Sequence, residues 1–110
     1  MKHFLEIRDN DKLISSLTLM IAELRSRKLA TIEEVKTTEG YRNKGYGKLI
    51  IQLAISKAKE LQCDTIELCF NPKDQLATKL YEDCGFKEDG NIRSKIILNE
   101  RWAMEQKGRW

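Results

Sequence analysis

The alternation of apolar and polar positions predicts strands over the first third of the chain. Three runs rich in apolar and β-branched residues are separated by short polar segments at Asp9–Asp11 and Arg25–Lys28. Aspartate and asparagine favour turns because their side chains bond to the local backbone. We therefore expect three consecutive antiparallel strands, His3–Arg8, Leu13–Ala22 and Leu29–Thr38.

The period becomes helical after residue 45. Apolar side chains now recur at spacings of three and four, with lysines and Gln52 between them: Tyr46, Leu49, Ile50, Leu53, Ala54, Ala58 and Leu61. A strand over Thr65–Phe70 follows this helix. The chain therefore passes from strands to a helix and back to a strand within about 40 residues.

A second amphipathic helix is predicted after that strand. Its apolar face carries Leu76, Ala77, Leu80, Tyr81 and Cys84. The segment before it predicts Asn71 as the cap, Pro72 at the first helical position and Asp74 as an acid in the first turn. Gly85 is typical of a left-handed helix stop.

The last part of the chain gives a weaker pattern. Phe86–Glu88 resembles the start of a strand and Arg101–Lys107 a final strand, whereas Asp89–Asn99 fits no single element. The predicted order is strand, strand, strand, helix, strand, helix, strand, strand. A helical connection makes the third and fourth strands parallel, with a right-handed crossover. The fold class is α+β with a mixed sheet.

Length and composition indicate one soluble domain. The 110 residues suffice for a single domain spanning 1–110, and 41% hydrophobic with 34% charged residues is typical of a globular protein. The chain has no apolar run near the about 20 residues that span a membrane. The start, Met1 to Phe4, lacks the features of a signal peptide. We expect a cytoplasmic protein without a membrane partner.

Cysteine and charge content exclude several classes of site. Cys63, Cys69 and Cys84 form no CxxC pair, and His3 is the single histidine. We expect no disulfide framework, no metal site and three cysteines buried as small apolar residues. The net charge of +3 permits an anionic ligand. The basic residues are scattered along the chain and do not form the stripe that is typical of nucleic-acid-binding proteins. We therefore do not expect a nucleic-acid partner.

One segment, Arg42-Asn43-Lys44-Gly45-Tyr46-Gly47, has the character of an anion-binding turn. Glycines allow close approach of a ligand to the backbone, and N–H groups at a helix start point toward it. Two better-known phosphate motifs do not fit. A dinucleotide fingerprint would need glycine at Ile50, and a P-loop would need Lys and Ser or Thr directly after Gly45.

Together with a second motif, this turn resembles the GNAT superfamily of acetyl-CoA-dependent N-acetyltransferases. The family pattern (Gln/Arg)-x-x-Gly-x-(Gly/Ala) is met by Arg42, Gly45 and Gly47. The family's helix ending in Leu-Tyr-x-x-x-Gly-Phe is similar to residues 80–86. The resemblance runs from about Leu29 to Phe86. It implies a mixed, mostly antiparallel sheet with a splayed parallel pair and two main helices.

By this resemblance, the splay between the parallel strands would hold acetyl-CoA. The pantetheine arm would pair with the backbone of Val35 and Thr37, with Lys36 between them, and the amide of Val35 would face the thioester oxygen. Backbone N–H groups would bind the pyrophosphate, in the turn made by Arg42, Asn43, Lys44, Gly45, Tyr46, Gly47 and Lys48. Asp74 stands where many relatives have asparagine near the cofactor.

The resemblance also implies catalytic roles. Tyr81 would be the general acid for the leaving thiolate. Glu33 and Glu34 are candidates for the base, and strand alternation allows at most one to face the site. The resemblance favours Glu33, on the face of Thr31 and Val35. Glu67 is a weaker candidate, and a water chain would serve the same purpose.

The predicted activity is acetyl transfer from acetyl-CoA to an amine by direct attack in a ternary complex. The acceptor is a protein lysine, a protein N-terminus or a small amine. The alternative is a catalytically weak acyl-CoA-binding or protein-interaction module of the same fold. The chain begins where the family's second strand would be. Its reduced acceptor wall and Trp102 with Trp110 favour a homodimer.

Overall fold

The chain folds into one mixed sheet with two helices, as seen in a computed structural model that describes residues 1–70, 73–88 and 93–98. The elements in chain order are β1 (Lys2–Asp9), β2 (Lys12–Glu23), β3 (Lys28–Thr37), α1 (Tyr46–Glu60), β4 (Thr65–Cys69), α2 (Gln75–Asp83), β5 (Lys87–Glu88) and β6 (Arg93–Ile97). The predicted order of the first seven elements and the α+β class are confirmed.

The described strands lie in the order β1-β2-β3-β4-β6-β5. β1, β2 and β3 form an antiparallel meander, and β3 pairs in parallel with β4 across α1. β4 then pairs antiparallel with β6, and β6 with β5. The mixed sheet with one parallel pair is therefore confirmed.

The main core lies between the sheet and α1. Ile50, Ile51, Ala54 and Ala58 of α1 are fully buried. They pack against the inward side chains of the sheet: Leu17, Leu19, Ile21, Ala30, Ile32, Ile66 and Leu68. This apolar burial is the main stabilising contribution to the fold. The helical spacing predicted for residues 46–61 is confirmed, although Leu49 and Leu53 stay 42% and 43% exposed.

The sequence predictions from α2 onward have mixed outcomes. The helix begins at Gln75 with Asp74 as its N-cap, so the prediction of a start at Pro72 with Asp74 in the first turn is wrong. Gly85 has φ +99°, which confirms the left-handed stop. β6 occupies part of Asp89–Asn99, the segment for which the sequence pattern predicted no single element. The predicted strand at Arg101–Lys107 and both tryptophans lie outside the described residues.

Neither described helix is long and apolar enough to cross a membrane. Within the ranges that the structure describes, no group of three or more His, Cys, Asp or Glu side chains is arranged to hold a metal ion.

Candidate functional site

The parallel strands β3 and β4 pair at one end and separate at the other. Their paired positions run only from Leu29 opposite Thr65 to Ile32 opposite Leu68. β3 continues to Thr37, whereas β4 ends at Cys69. The second half of β3 therefore has β2 on one side and, among the described strands, no partner on the other.

Hydrogen bonds fix the closed end of this strand pair. The Lys28 amide donates to Asp64 Oδ2 at 2.7 Å, and the Asp64 amide donates to the Lys28 carbonyl at 2.8 Å. Lys28 Nζ also donates to the Leu61 carbonyl at 2.8 Å. Because these bonds hold β3 and β4 together where both strands begin, their divergence is confined to the opposite end.

A β-bulge in β3 marks the start of the open region. Glu33 pairs with Thr18 and Lys36 with Ser16, so Glu34 and Val35 together oppose Leu17. Glu34 has φ +55°, a left-handed conformation that is uncommon for a residue other than glycine. An extra residue interrupts the alternation of side chains along the strand.

The bulge removes the basis for the prediction that at most one of Glu33 and Glu34 faces the site, because side chains do not alternate regularly across it. Both residues line the same cavity. The prediction also placed Val35 on the face of Glu33, but Val35 packs against the core that contains Ile32. The alternation rule failed here because it assumes a regular strand, and the bulge shifts its phase by one residue.

We call the space between the diverging strands the inter-strand cavity; its volume is about 400 Å³. β3, β4 and α2 line it with Thr31, Ile32, Glu33, Glu34, Val35, Leu68, Cys69 and Tyr81. Two glutamates and a tyrosine thus line one cavity together with apolar residues. Glu67, the weaker base candidate, is absent from this lining; it is buried and its Oε1 lies 3.2 Å from Nη1 of Arg27.

Tyr81 reaches the inter-strand cavity from α2. Its ring packs against Phe70, with 4.9 Å between the ring centroids, and edge-on against Phe86 at 6.2 Å. Burial raises the pKa of the Tyr81 phenol, and the nearby Asp74 and Cys84 raise it further. The phenol is therefore held in its neutral, proton-donating form.

Four residues of the cavity lining were not predicted as site residues: Thr31, Ile32, Leu68 and Cys69. Cys69 is exposed, so the expectation that all three cysteines are buried is wrong for this one. Strand alternation gave no signal of this, because Thr65 and Glu67, in the same phase of β4 as Cys69, are buried. Cys63 is buried and Cys84 half-buried, and burial raises the pKa of both thiols.

The glycine turn gives α1 an open start. Gly45 is the N-cap, with φ +88° and no side-chain hydrogen bond to the first turn. A Cβ atom added at Gly45 would meet nothing within 4 Å. Gly45 therefore supplies no side-chain cap to the first N–H groups of α1, and no described residue crowds its Cα. Such a helix start favours an anion.

The side chains around the turn carry positive charge, which favours a bound anion. Arg42, Lys44 and Lys48 are exposed, and the first turn of α1 holds no acidic residue. Arg42 Nε donates to the Thr37 carbonyl at 3.2 Å, so this side chain also ties the turn to the end of β3. Asn43 adopts a left-handed φ of +63°. These features fit a pyrophosphate.

The backbone groups at the end of β3 point alternately toward β2 and toward the open side. The Lys36 carbonyl accepts from Ser15 Oγ at 2.9 Å, and the Thr38 amide donates to the Ile14 carbonyl at 2.8 Å. Both groups therefore face β2. Beyond the bulge, successive residues of the strand alternate in direction, so the peptide groups of Thr37 face the other way, where its carbonyl accepts from Arg42 Nε. An extended ligand arm can bond there.

Asp74 acts on α2 through its carboxylate. Its Oδ1 accepts from the Ala77 amide at 3.1 Å, and its carbonyl accepts from Thr78 Oγ1 at 2.9 Å. An N-cap of this kind stabilises a helix by about 1 kcal/mol. The structure therefore places Asp74 at the start of the helix that carries Tyr81.

We expect Asp74→Ala to lower the free energy of unfolding by about 1 kcal/mol, because the Ala77 amide loses its acceptor. Asp74→Asn is the matched control, since its side-chain oxygen can still cap the helix. Urea unfolding followed by circular dichroism measures both variants. Equal losses in the two variants would show that the charge, and not the cap, stabilises α2.

Comparison with known proteins adds four findings. A family model described as "Acetyltransferase (GNAT) family" matches residues 1–86. YvbK of Bacillus subtilis, an N-acetyltransferase described as uncharacterized, is 38% identical over 56 residues. A Bacillus subtilis acetyltransferase solved in complex with CoA shares the fold, with a TM-score of 0.77, 23% identity and coverage of 88% of this chain and 77% of that one.

A structure from Agrobacterium tumefaciens, named as an acetyltransferase, has a TM-score of 0.77 and 29% identity. The match covers 82% of this chain and 65% of that protein. The match to YvbK covers 51% of this chain and 36% of YvbK. The chain thus spans roughly a third to two-thirds of the length of these two relatives.

Proposed function

The chain belongs to the GNAT family of acetyltransferases, and on that premise we propose that it transfers the acetyl group of acetyl-CoA to an amine. The observation that carries this proposal is the inter-strand cavity. Tyr81, Glu33 and Glu34 all line it, at the unpaired end of β3. A proton donor and candidate bases thus share the space where a thioester would lie.

Two features of the structure support the predicted position of acetyl-CoA. The stretch of β3 from Val35 to Thr37 lies beyond the paired part of β4, which suits the amides of a pantetheine arm bonding there like a short extra strand. The open start of α1, with Arg42, Lys44 and Lys48 around it, suits the pyrophosphate. The backbone from about Asn43 to Lys48 would then surround it.

Acetyl-CoA supplies an activated acyl thioester. Glu33 or Glu34, directly or through water, accepts the proton that the attacking amine must lose. The Val35 amide stabilises the negative charge that grows on the thioester oxygen. As the carbon–nitrogen bond forms and the carbon–sulfur bond breaks, Tyr81 gives its proton to the leaving thiolate. Solvent then restores the Tyr81 proton.

The acceptor is proposed to be a protein lysine, a protein N-terminus or a small amine. The predicted homodimer and the cytoplasmic location stay predictions. A second copy beside the open side of the site would supply part of an acceptor wall. The residues that motivated the dimer, Trp102 and Trp110, lie outside the described part of the chain.

We expect acetyl-CoA to stabilise the folded protein. Ligand at about 100 times its dissociation constant adds roughly 2.7 kcal/mol to the free energy of unfolding. For a domain of this size, that raises the melting temperature by roughly 10 °C. A thermal melt with and without acetyl-CoA measures the shift. ADP is the control ligand, because it carries a pyrophosphate without the pantetheine arm, and we expect it to give a smaller shift.

Absence of a shift, together with absence of binding by calorimetry, would overturn the proposed function. Thiol release with a panel of amines and peptides then separates the enzyme from a binding module of the same fold. An enzyme releases CoA only when an acceptor amine is present. A binding module would show the same thermal shift without thiol release.

A further inference from the structure

Strand β1 forms one edge of the described sheet, with β2 as its neighbour. From Lys2 to Ile7 it pairs with β2 in an unbroken antiparallel register, and the irregularity in this pair comes only after Ile7. The Met1 amine donates to the Ile21 carbonyl at 3.0 Å, and the Ile21 amide donates to the Met1 carbonyl at 2.8 Å. The backbone groups of Met1 therefore face β2.

The backbone groups of the alternate residues face outward along this edge. Because the register is unbroken, the amides and carbonyls of Lys2, Phe4 and Glu6 point away from β2. These three residues are exposed, Phe4 by 72%. β1 is eight residues long and contains no proline. An edge strand of this kind can pair with a further strand.

The charges along the edge decide which strand fits. In an antiparallel pair of two β1 strands centred on Phe4, the two Phe4 residues are opposite each other, and Lys2 of each copy is opposite Glu6 of the other. Both ends of the pair then join opposite charges, and the aromatic residues meet at the centre. Glu6 Oε2 already accepts from Arg8 Nε at 2.8 Å, but 43% of the Glu6 side chain stays exposed, which leaves room for a second cation.

Other registers that keep the outward backbone bonds bring like charges together. A centre at Leu5 places Lys2 opposite Arg8, and a centre at Glu6 places the two Glu6 carboxylates opposite each other. Like charges directly opposite destabilise a strand pair. A shift in the other direction shortens the pair. The sequence of β1 therefore favours one register with itself, the one centred on Phe4.

We infer that β1 is a self-association surface, through which two copies of this chain join edge to edge into one continuous sheet. This inference goes beyond the proposed function and does not depend on it. It places the predicted homodimer on β1, and not on the tryptophans from which the dimer was predicted. Phe4 and Glu6 also line a cavity of about 170 Å³ together with Glu34, which lines the inter-strand cavity as well. The second copy would therefore lie on the β1 side of the candidate site.

Two charge reversals test the inference. Lys2→Glu makes both ends of the strand pair negative, and Glu6→Lys makes both ends positive. Each variant alone should self-associate about tenfold more weakly than the wild type, because two attractive charge pairs become repulsive. An equimolar mixture should dimerise again, because a Lys2→Glu chain and a Glu6→Lys chain present opposite charges to each other. Sedimentation velocity compares the mass with the 12.8 kDa of one chain, in protein that keeps its native N-terminus because the Met1 amine bonds to Ile21.

Lys59→Glu is the matched control, because it makes the same charge change at an exposed position on α1. We expect this variant to dimerise like the wild type. A wild type that stays monomeric at about 0.5 mM would overturn the inference, since even weak specific interfaces associate in that range. A dimer that neither reversal weakens, or a mixture that associates no better than its components, would also overturn it.

Hydrogen exchange followed by NMR gives a second readout. The Phe4 and Glu6 amides should exchange more slowly as the protein concentration rises, whereas the Leu5 amide, which faces β2, should be protected at every concentration. Protection of Phe4 that does not depend on concentration would mean that another segment of the same chain covers the edge, and fast exchange throughout would mean a free edge. Either result overturns the inference. Absence of acetyl-CoA binding would overturn only the proposed function, so the two failures are distinguishable.

Discussion

Replacement of Tyr81 by phenylalanine is expected to slow acetyl transfer by about 10²-fold or more, which is typical for loss of a general acid. Affinity for acetyl-CoA should stay close to that of the wild type. The substitution removes one hydroxyl and keeps the ring that packs against Phe70 and Phe86. Stopped-flow or steady-state thiol release with a reactive amine measures the rate, and calorimetry measures the affinity.

The pH dependence gives an independent check on Tyr81. Burial, and then the charges of Asp74 and Cys84, raise the pKa of the phenol. A raised pKa keeps the neutral phenol in place at pH values where a free tyrosine begins to ionise. Ionisation of the Tyr81 phenol should therefore lower the activity only above about pH 10. In Tyr81→Phe, this alkaline loss should disappear.

Tyr41→Phe is the matched control for this experiment. Tyr41 lies beside the glycine turn, its ring 5.9 Å from that of Tyr46, and it does not line the inter-strand cavity. We expect its rate to remain within about twofold of the wild type. An unchanged rate for Tyr81→Phe, measured where chemistry limits turnover, would make Tyr81 a packing residue. A loss of stability by about 1–3 kcal/mol would instead indicate a buried hydroxyl partner.

The fold was predictable because its main elements depend on local periodicity. The spacing of Ile50, Ala54 and Ala58 alone identifies the buried face of α1, and all three are fully buried. The helix between β3 and β4 makes those strands parallel, as a crossover connection requires. Two short sequence motifs, one at Gly45 and one at Gly85, indicated the family before any contact was known.

The arrangement of the candidate bases was not predictable in the same way. Strand alternation is a local rule, but the bulge at Glu34 is set by pairing with β2, where two residues oppose Leu17. A sequence pattern does not contain that register. The same limitation hid Cys69, whose place in the cavity depends on where β3 and β4 separate.

The start of α2 shows how two local signals compete. Asn71 followed by Pro72 is a good helix start, and Asp74 is an equally good cap three residues later. The hydrogen bond from the Ala77 amide to Asp74 selects the later start. Residue preferences alone favour a helix start at Asn71–Pro72 about as strongly as a start at Asp74.

Gly47→Val is expected to raise the dissociation constant for acetyl-CoA by about 10²-fold while the protein stays folded. A Cβ atom at Gly47 would lie 3.4 Å from Cδ2 of Leu80, an ordinary contact distance. The two methyl groups of valine need more room than that. They must press on α2 or occupy the space above the turn, where the pyrophosphate is proposed to bind.

The magnitude follows from the hydrogen bonds at risk. A hydrogen bond to a charged group contributes about 1.5–3 kcal/mol, so losing one or two weakens binding by roughly 10²-fold. Gly47→Ala is the matched control and should bind normally, because one Cβ fits and the family pattern allows alanine there. Calorimetry measures affinity, and circular dichroism checks the fold. Normal binding by Gly47→Val would place the pyrophosphate elsewhere.

A double variant separates the two ways in which valine can act. Gly47→Val with Leu80→Ala removes the side chain of α2 that the methyl groups would press on. If binding remains lost, the methyl groups exclude the phosphates directly from the turn. If binding returns, the single variant acted by displacing α2 and, with it, Tyr81, which directly follows Leu80. In that case Gly47→Val alone should also slow acetyl transfer at saturating acetyl-CoA, because the general acid has moved.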